Sequence, residues 1–597
     1  MDNLDGERAD RIRWPVPVCS RRPAPGPMPS PPLPRLTPAF LRAQTVGIDA
    51  LVPTPFGPRP LVYADFTASG RQLAFVEDYL RALAVRYANA HTEDSLTGRT
   101  ATRLLHEAEA SIKRSVGAGP GGKVVSVGAG STAAIHKLQE FLGVAIPPVT
   151  LHALMGWART ALGEAGADAI VREIAARRPV VFVGPYEHHS NEVTWREGVC
   201  DVVEVDLAAD GGLDLSHLDR LLSDPAYVGR TLVGSFSAAS NVTGVTCDVH
   251  AVARLLHARG ALAFVDYAAG GPYLPIDMSA SGDAAAALDA VFLSPHKFLG
   301  GPGSCGLLVF HEDLYRTDLA PSVGGGGTVD YVGPSGHDFT ADIEARETAG
   351  TPGFFQTLRA ALALQVKDAL GSVVEREHAL LERAFAAWAE TGRIDVLGPA
   401  EPDRRVGIVS FNVTCGAAGR VLHPRFVTVL LNDLFGIQSR AGCSCAGPYG
   451  HRLLGITGDT AERYRTAVRS GAHGVKPGWC RVGFHPTMDD AEADYLISAV
   501  AFVAHSGERF LPLYTFSVET GTWTHRDAPP DAAEALSLTA ALAAPPPVQM
   551  PVTDDVRHAR YATALADAAS LADALADAPA TGCLDDTLAD LQFFAMA

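Results

Sequence analysis

The chain contains the run Val291-Phe-Leu-Ser-Pro-His-Lys297, in which three apolar residues are followed by polar ones. A short apolar run of this kind is typical of a buried strand, so Ser294, His296 and Lys297 would lie where that strand ends. A lysine at such an edge can form an imine with a carbonyl ligand, and partial burial would lower its pKa. A lone lysine after a strand is more often a surface residue, so other positions must support this interpretation.

Similar apolar runs precede this one, and helical stretches separate them. One such stretch, residues 249–259, begins after Asp248 and ends at Gly260. Short buried strands that alternate with helices predict an α/β fold with a mostly parallel sheet. Ligands of such sheets collect at the carboxyl ends of the strands. The runs lie at residues 124–127, 180–183, 232–236 and 262–265.

Asp266 ends the strand that precedes Lys297 in the predicted sheet. A carboxylate at that edge could keep a pyridine nitrogen protonated, which a pyridoxal-5′-phosphate (PLP) cofactor needs in order to accept electrons from a substrate. An aspartate at the end of a strand is common by itself. Its pairing with Lys297 therefore carries the prediction of a PLP site.

Three further stretches follow strands of the same predicted sheet. Gly128-Ala-Gly-Ser-Thr132 precedes a predicted helix over residues 133–142, where exposed backbone N–H groups could hold a phosphate; a tight turn is the alternative. His188 could stack on a flat ring, and Asn241 could bind a phenolic oxygen or be a turn residue. Adjacent histidines such as His188 and His189 chelate one metal ion poorly, so we predict no metal site.

Composition predicts four regions. Residues 1–38 are rich in Pro and Arg and form an extended, disordered extension or a polyproline docking segment. Residues 39–365 form the large α/β domain, and residues 366–526 a smaller α+β domain with a helix over 373–391 and strands over 406–412 and 479–484. Residues 527–597 form an Ala-, Pro- and Asp-rich tail. Within the tail, residues 555–577 show partial helical periodicity, in which Tyr561, Leu565, Leu571 and Leu575 are partly aligned. We expect a helix there, which either docks on the rest of the protein or stays loose.

The overall composition excludes several classes of protein. The 597 residues are too many for one hydrophobic core, and 47% of them are hydrophobic, as in globular proteins. A net charge of -18 argues against binding to nucleic acid or to an anionic membrane. Nine irregularly spaced cysteines do not suggest a disulfide framework. Neither a membrane-spanning run nor a signal peptide is evident, so we expect a cytoplasmic protein.

Taken together and in this order, these residues resemble the class V aminotransferase group of fold-type I PLP enzymes. The group includes cysteine desulfurases, selenocysteine lyases and molybdenum-cofactor sulfurases. The resemblance extends from about residue 63 to residue 504 and implies a PLP-binding large domain, a smaller α+β domain and a homodimer. Further motifs that carry it are Gly130-Ser-Thr132, Glu187-His-His-Ser-Asn191, Ser240-Asn-Val-Thr-Gly244, Gly324-Gly-Gly-Gly-Thr328 and Glu347-Thr-Ala-Gly-Thr-Pro352.

The resemblance implies a role for each cofactor-binding residue. Lys297 would carry PLP as a Schiff base, and Asp266 would hold the ring nitrogen. His188 would stack on the ring, and Asn241 would lie near the phenolic oxygen. Thr328 would reach the phosphate bound by a partner subunit. The residues that would bind the phosphate of their own subunit are Ser131, Thr132, Ser294 and His296.

One position departs from the desulfurase pattern. Desulfurases usually carry a glutamine three residues after the strand-end aspartate, near the phenolic oxygen, and this chain has Ala269 there. The chain is in this respect more similar to the sulfurase and lyase branches.

The loop over residues 436–449 contains Cys443 and Cys445. Cys445 falls on the position of the catalytic cysteine of desulfurases, and Arg440 nearby would favour its thiolate. Metal binding, redox activity or a role as small apolar fillers are the alternatives for the two cysteines. Arg481 resembles the position that binds the substrate carboxylate, a task that suits a planar guanidinium, and Arg440 is a second candidate for substrate binding.

We therefore expect a homodimeric PLP enzyme that acts on a small amino acid, with Lys297 as general base. A cysteine desulfurase or C–S lyase, with Cys445 accepting the sulfur and passing it to a possible acceptor protein, is the first interpretation. A class V aminotransferase without persulfide chemistry is the second. A catalytically degenerate scaffold is the third.

Overall fold

The computed structural model describes residues 35–596, apart from residues 91, 416–418, 529–536, 538, 540–550 and 576–580. The predicted Pro-rich extension therefore lies almost wholly outside the described residues. The strands of the described part are β1 (Leu51–Val52), β2 (Arg59–Pro60), β3 (Val62–Tyr63), β4 (Gly122–Val127), β5 (Val180–Val183), β6 (Asp201–Glu204), β7 (Leu232–Ser237), β8 (Leu262–Asp266), β9 (Ala290–Leu293), β10 (Gly306–His311), β11 (Val329–Gly333), β12 (Gly336–Phe339), β13 (Ile394–Val396), β14 (Ile408–Val413), β15 (Ile437–Gln438), β16 (Arg440–Gly442), β17 (Trp479–Gly483), β18 (Tyr514–Phe516) and β19 (Trp523–His525).

The helices connect these strands and cover their faces. The α-helices of the described part are α1 (Pro38–Gln44), α2 (Ala74–Ala84), α3 (Leu96–Ser115), α4 (Gly130–Phe141), α5 (Pro148–Arg177), α6 (Val193–Arg196), α7 (Leu215–Leu222), α8 (Val249–His257), α9 (Ile343–Arg346), α10 (Phe354–Leu370), α11 (Val374–Thr391), α12 (Pro424–Phe435), α13 (Gly447–Leu453), α14 (Gly458–Arg469), α15 (Asp490–Ser506) and α16 (Asp554–Ala574). No helix among the described residues is long and apolar enough to cross a membrane.

The predicted apolar runs form a seven-stranded sheet in the order β4-β10-β9-β8-β7-β5-β6. Five neighbouring strands, β9, β8, β7, β5 and β6, are parallel to one another. Strand β10 is antiparallel to both of its neighbours, β4 and β9. All residues of β5 and β9 are buried, as expected for strands covered by helices on both faces. The predicted α/β fold with a mostly parallel sheet is confirmed.

Strand β10 was not among the predicted strands, although its sequence Gly306-Leu-Leu-Val-Phe-His311 is as apolar as theirs. It fits between β4 and β9 because Gly306 has no side chain. A Cβ at this position would lie 2.2 Å from the carbonyl oxygen of Gly130. The first residue of β10 therefore closely approaches the start of α4, next to the edge at which Lys297 lies.

A second sheet of four antiparallel strands, β13-β14-β17-β16, packs against helices α11 and α12, and both of these helices contact α15. It corresponds to the predicted α+β region. Strand β14 begins two residues later than predicted, because the N–H of Val406 bonds to Gly244 O and that of Gly407 to Glu377 Oε1. The residues from Arg35 onwards form one compact unit by their contacts, and the division into a large and a small domain stays a prediction.

Helix α5, which was not predicted, connects α4 to β5. Gly163 interrupts it with φ +72° and ψ 173°, a conformation that favours glycine, so two helical segments meet there. Ala167 is its one fully buried residue, and Trp157 and Leu162 are exposed.

In the described part of the tail, helix α16 docks against α12 and α15 rather than staying loose. In α16 the buried line consists of Arg557, Tyr561, Ala564, Ala568 and Ala572, and Tyr561 stacks on Tyr495 with ring centroids 4.5 Å apart. The predicted leucines lie at the edge of this line, because small alanines let the helix approach its neighbours closely.

Candidate active site

Lys297 lies at the carboxyl edge of the sheet, in the short helical turn Pro295–Lys297 after β9. Burial lowers the pKa of its amine to about 8; Asp266 opposes the shift, and Arg481 and Arg440 add to it. A cavity of about 190 Å³ surrounds this side chain. The residues that line it are Ala129, Gly130, Ser131, Thr132, His188, Ser190, Ser237, Ala239, Asn241, Asp266, Ala268, Ala269, Ser294, His296 and Lys297.

The amino end of α4 forms one wall of the cavity. The helix begins at Gly130, three residues earlier than predicted, because Gly130 adopts φ +55° and leads directly from the loop into the first turn. Ala129, at the N-cap position, has no side-chain capping bond. A Cβ on Gly130 would lie 2.8 Å from Ser294 Oγ, so only glycine leaves this space free. The wall therefore offers N–H groups and a helix dipole to an anion.

Hydroxyl groups from three elements meet at this helix end. Ser294 Oγ accepts from the N–H of Ser131 at 2.9 Å and donates to Ser131 Oγ at 3.1 Å. Thr132 Oγ1 lies 2.6 Å from Ser190 Oγ, on the loop after β5. Together with the N–H groups in the first turn of α4, these hydroxyls can hold a phosphate. The structure thus brings together the predicted phosphate-binding residues, including His296.

His188 also lines the cavity, from the loop after β5 that carries Ser190. Its Nδ1 accepts from the N–H of Ser190 at 3.1 Å. Burial, together with the charge of Lys297, lowers the pKa of His188 to about 4. The imidazole is therefore uncharged at neutral pH and can present its flat face to a ring.

Asp266 ends β8 and is buried at the floor of the cavity. Its Oδ1 accepts from the N–H of Ala268 at 2.8 Å. Burial raises the pKa of Asp266, although the Ala268 N–H and Lys297 oppose the shift. A carboxylate held in this way can bind a protonated ring nitrogen.

Sequence reasoning assigned no role to Glu187, which lies behind this floor. Its carboxyl accepts from the N–H and the hydroxyl of Ser237, at 2.9 and 2.6 Å, and from Asn191 Nδ2 at 2.7 Å. Burial raises its pKa to about 7. Glu187 thus ties the end of β7 to the histidine loop, and its place in the Glu187–Asn191 motif was the available signal.

Asn241 lines the cavity, and its amide points to the cysteine loop. Its Nδ2 donates to Ser444 O at 2.6 Å. On the other side of that loop, His189 donates its N–H to Cys445 O at 2.8 Å, and its Nε2 accepts from the N–H of Gly447 at 3.0 Å. Asn241 and His189 therefore connect the cavity wall to the loop that carries Cys445.

Cys443 to Ala446 form a tight turn, closed by the bond from Ala446 N to Cys443 O at 3.0 Å. Its central residues Ser444 and Cys445 have φ angles of +50° and +56°, a left-handed conformation that costs non-glycine residues about 1 kcal/mol each. Such strain persists where the surroundings hold it and is concentrated at functional sites. Cys445 is exposed on this turn and does not line the cavity.

Arg440 and Arg481 lie directly opposite each other on β16 and β17. Asp65, which sequence reasoning missed, bridges them through both of its carboxylate oxygens. Neither arginine lines the cavity. Thr328 also lies outside it; its side chain is buried at the end of an exposed glycine loop, and its hydroxyl donates to Gly325 O at 2.8 Å.

Among the described residues, no group of three or more His, Cys, Asp or Glu side chains is placed to hold a metal ion. The eight cysteines of this part of the chain are all free thiols.

Known proteins match both the sequence and the fold. A curated relative from Streptomyces coelicolor, named probable cysteine desulfurase, is 28% identical over 397 residues, which are 65% of this chain and 84% of the relative. A cysteine desulfurase from Dickeya dadantii is 28% identical over 404 residues, with 65% and 84% of the two chains covered.

Solved structures show the same fold at lower identity. The cysteine desulfurase from Thermococcus onnurineus has a TM-score of 0.57 at 21% identity and covers 74% of this chain and 95% of its own. The cysteine desulfurase CsdA from Escherichia coli has a TM-score of 0.56 at 20% identity and covers 78% and 98%. These likenesses confirm the predicted fold type. The family model described as Aminotransferase class-V matches residues 166–496, more than half of the sequence, and the chain therefore belongs to the class V aminotransferase family.

Proposed function

We propose that this chain is a PLP-dependent enzyme that releases sulfur from L-cysteine or a related small amino acid, as the names of its relatives suggest. The observation that carries the proposal is the placement of Lys297. Its amine shares one cavity with Asp266, with the uncharged His188 and with the open amino end of α4. These four features match the aldehyde, the ring nitrogen, the flat ring and the phosphate of PLP.

The residues present fit PLP. When bound, PLP supplies an electron sink for the charge that develops at the α-carbon of an amino acid. Lys297 and Asp266 would hold the cofactor at its aldehyde and its ring nitrogen, and His188 would stack on its ring. Asn241 would lie near its phenolic oxygen. The phosphate would be held by Ser131, Thr132, Ser294 and His296.

Lys297 is suited to move a proton at its Nζ. With a pKa of about 8, roughly one tenth of the amines are neutral at pH 7, so the group can accept a proton near neutral pH and return it. The same neutral fraction is what attacks a carbonyl carbon. Arg481 would bind the α-carboxylate of the substrate and orient it toward Lys297.

Cys445 would accept the sulfur. Its thiolate forms a bond to the substrate sulfur as the bond from that sulfur to the β-carbon breaks, and the β-carbon takes a proton. The products balance as L-alanine and a persulfide on Cys445. The exposed turn favours transfer onward to an acceptor protein, although the thiol must approach the cavity first.

The testing experiment compares sulfide release from L-cysteine, with a reductant present, in the parent and in Cys445→Ala. Cys443→Ala is the matched control, since Cys443 lies in the same turn. We expect loss of release in Cys445→Ala and retention in Cys443→Ala. Release that persists in Cys445→Ala would indicate an elimination that needs only Lys297.

The position of Cys445 outside the cavity supports a second candidate, a class V aminotransferase without persulfide chemistry. In that case the PLP-loaded parent would release no sulfide and would transfer its amino group to a keto acid, equally well in Cys445→Ala. A pure protein that takes up no PLP would instead indicate a catalytically degenerate scaffold.

We further propose a homodimer in which Thr328 approaches the site of the partner subunit. Thr328 lies apart from the cavity of its own chain, which supports this assignment. Sedimentation of the PLP-loaded protein tests the dimer: a particle of one chain would contradict it.

A further inference from the structure

Arg440 and Arg481 form an arrangement that is unfavourable by itself. They are direct cross-strand neighbours on β16 and β17, and like charges in that position destabilise a sheet. Arg481 is only 3% exposed, so water does little to screen its charge. An anion placed between the two guanidinium groups would relieve this repulsion.

Asp65 is that anion. Its Oδ2 accepts from Arg440 Nε and its Oδ1 from Arg481 Nη2, each at 2.9 Å. The backbone around it is fixed, since Ala64 donates its N–H to Gln438 O at 3.0 Å and accepts from the N–H of Gly483 at 2.7 Å. The backbone bonds of Ala64 to β15 and β17 therefore hold Asp65 beside the two arginines, and the group of three residues has a net charge of +1.

One buried N–H donor of these three residues is unpaired among the described residues. Arg481 Nη1 donates to Asn241 O at 2.9 Å, but its Nε is buried and has no partner in the described part of the chain. Because Asn241 lines the cavity, Arg481 lies directly behind the cavity wall. The charges of these three residues also act on Lys297 in the cavity: both arginines lower the pKa of its amine, and Asp65 raises it.

We infer that Asp65 is a specificity-determining residue that limits this site to amino acids with a single carboxylate. It neutralises one of the two arginines, so the remaining charge of +1 matches one α-carboxylate. A substrate with a second acidic group would bring an excess negative charge close to Asp65. The inference rests on the proposed function, because it assumes that an amino acid binds beside Lys297.

The test compares two ligands of equal shape, L-aspartate and L-asparagine. They are titrated into PLP-loaded Cys445→Ala protein, and binding is followed by the absorbance of the bound cofactor, which does not require turnover. Asp65→Asn in this background keeps the size of the side chain and one acceptor for Arg481. We expect the ratio of the dissociation constants, aspartate over asparagine, to fall by roughly tenfold or more, since one charge at close range is removed.

Three further variants separate the effect of charge from a loss of structure. Asp65→Glu should keep the ratio of the parent. Arg440→Gln lowers the net charge of the group and should shift the ratio in the opposite direction; half-exposed Arg440 tolerates replacement better than Arg481. Asp590→Asn removes the same charge from a surface pair with Arg463 and should leave the ratio unchanged.

A ratio in Asp65→Asn within twofold of the parent, in protein that holds PLP and binds both ligands, would overturn the inference and leave the proposed function intact. If Asp65→Asn fails to fold, an unchanged ratio in Arg440→Gln would overturn it instead. A parent protein that takes up no PLP would overturn the proposed function and this inference with it.

Discussion

At the scale of single residues, the burial of Lys297 has consequences for stability. Its pKa is about 8 in the folded protein and near 10.5 when exposed, so the unfolded chain holds the proton more tightly. The resulting cost to the fold, about 3 kcal/mol, is complete below pH 8 and is lost as the pH rises to about 10.5. Without cofactor, Lys297→Met should therefore be more stable than the parent at pH 7, and the gap should close at higher pH.

Urea unfolding at pH 7 and pH 10 measures this gap. Lys476→Met, at an exposed position, is the matched control and should change little at either pH. A gap of the same size at both pH values would contradict the electrostatic explanation and leave only a packing effect of the methionine.

Glu377 gives the opposite dependence on pH. It is 2% exposed, the N–H of Gly407 donates to it at 3.0 Å, and burial raises its pKa from 4.5 to about 8. The unfolded carboxyl ionises first, so the cost to the fold is absent below pH 4.5 and grows until pH 8. Glu377→Gln keeps the acceptor and removes the charge. We expect it to raise the midpoint of thermal unfolding over the parent at pH 8 and to have little effect near pH 4.5; the reverse order would be evidence against a protonated Glu377.

The sequence predicts the site residues that a strand places at the edge of the sheet, but not those placed by long-range contacts. Lys297, Asp266 and Ser294 follow strands, and the edge of the sheet brings them together. Asp65 could not be found in this way, because its partners Arg440 and Arg481 lie about 400 positions further along the chain. No local pattern encodes a contact of that range.

At the scale of elements, α16 shows how a weak helical pattern is stabilised by packing. Ala568 is fully buried in its contact face, whereas Ala566 is exposed on the same helix. Ala568→Asp would bury an unpaired charge and should cost more than about 2 kcal/mol, while Ala566→Asp should be nearly neutral. The rate of proteolysis within α16 measures the docking. Equal rates in the two variants would mean that α16 does not depend on this face.

Element positions were predicted better than their ends and directions. The five predicted strands of the large sheet are present, but α4 begins earlier than expected and β10 runs against its neighbours. The earlier start of α4 arises from Gly130 with its positive φ, and Gly306 lets β10 approach α4 closely without determining the direction of that strand. The sequence contains these glycines, but the space that each must leave free is set by residues distant in the chain.

At the scale of the whole molecule, the described end of the chain is part of the core. Phe594 is fully buried, its backbone pairs with Val421, and its ring lies 4.6 Å from that of His423, edge to face. If residues from Arg35 onwards unfold as one unit, the loss of this ring should destabilise all of it. Phe594→Ala should lower the free energy of unfolding by about 3 kcal/mol or more, and the partly buried Phe593→Ala by less.

Chemical denaturation followed by tryptophan fluorescence and by far-UV circular dichroism tests this prediction. A joint shift of both signals to lower denaturant in Phe594→Ala would show that the end of the chain and the α/β core unfold together. If only the protease sensitivity of the last residues changed, with both midpoints unmoved, the end of the chain would be a separately folding segment. Tryptophan fluorescence reports on both regions. Trp523 packs in the aromatic cluster with Phe594, whereas the buried Trp195 and Trp388 report on the two sheets, so a joint shift shows that the core depends on the cluster at Phe594.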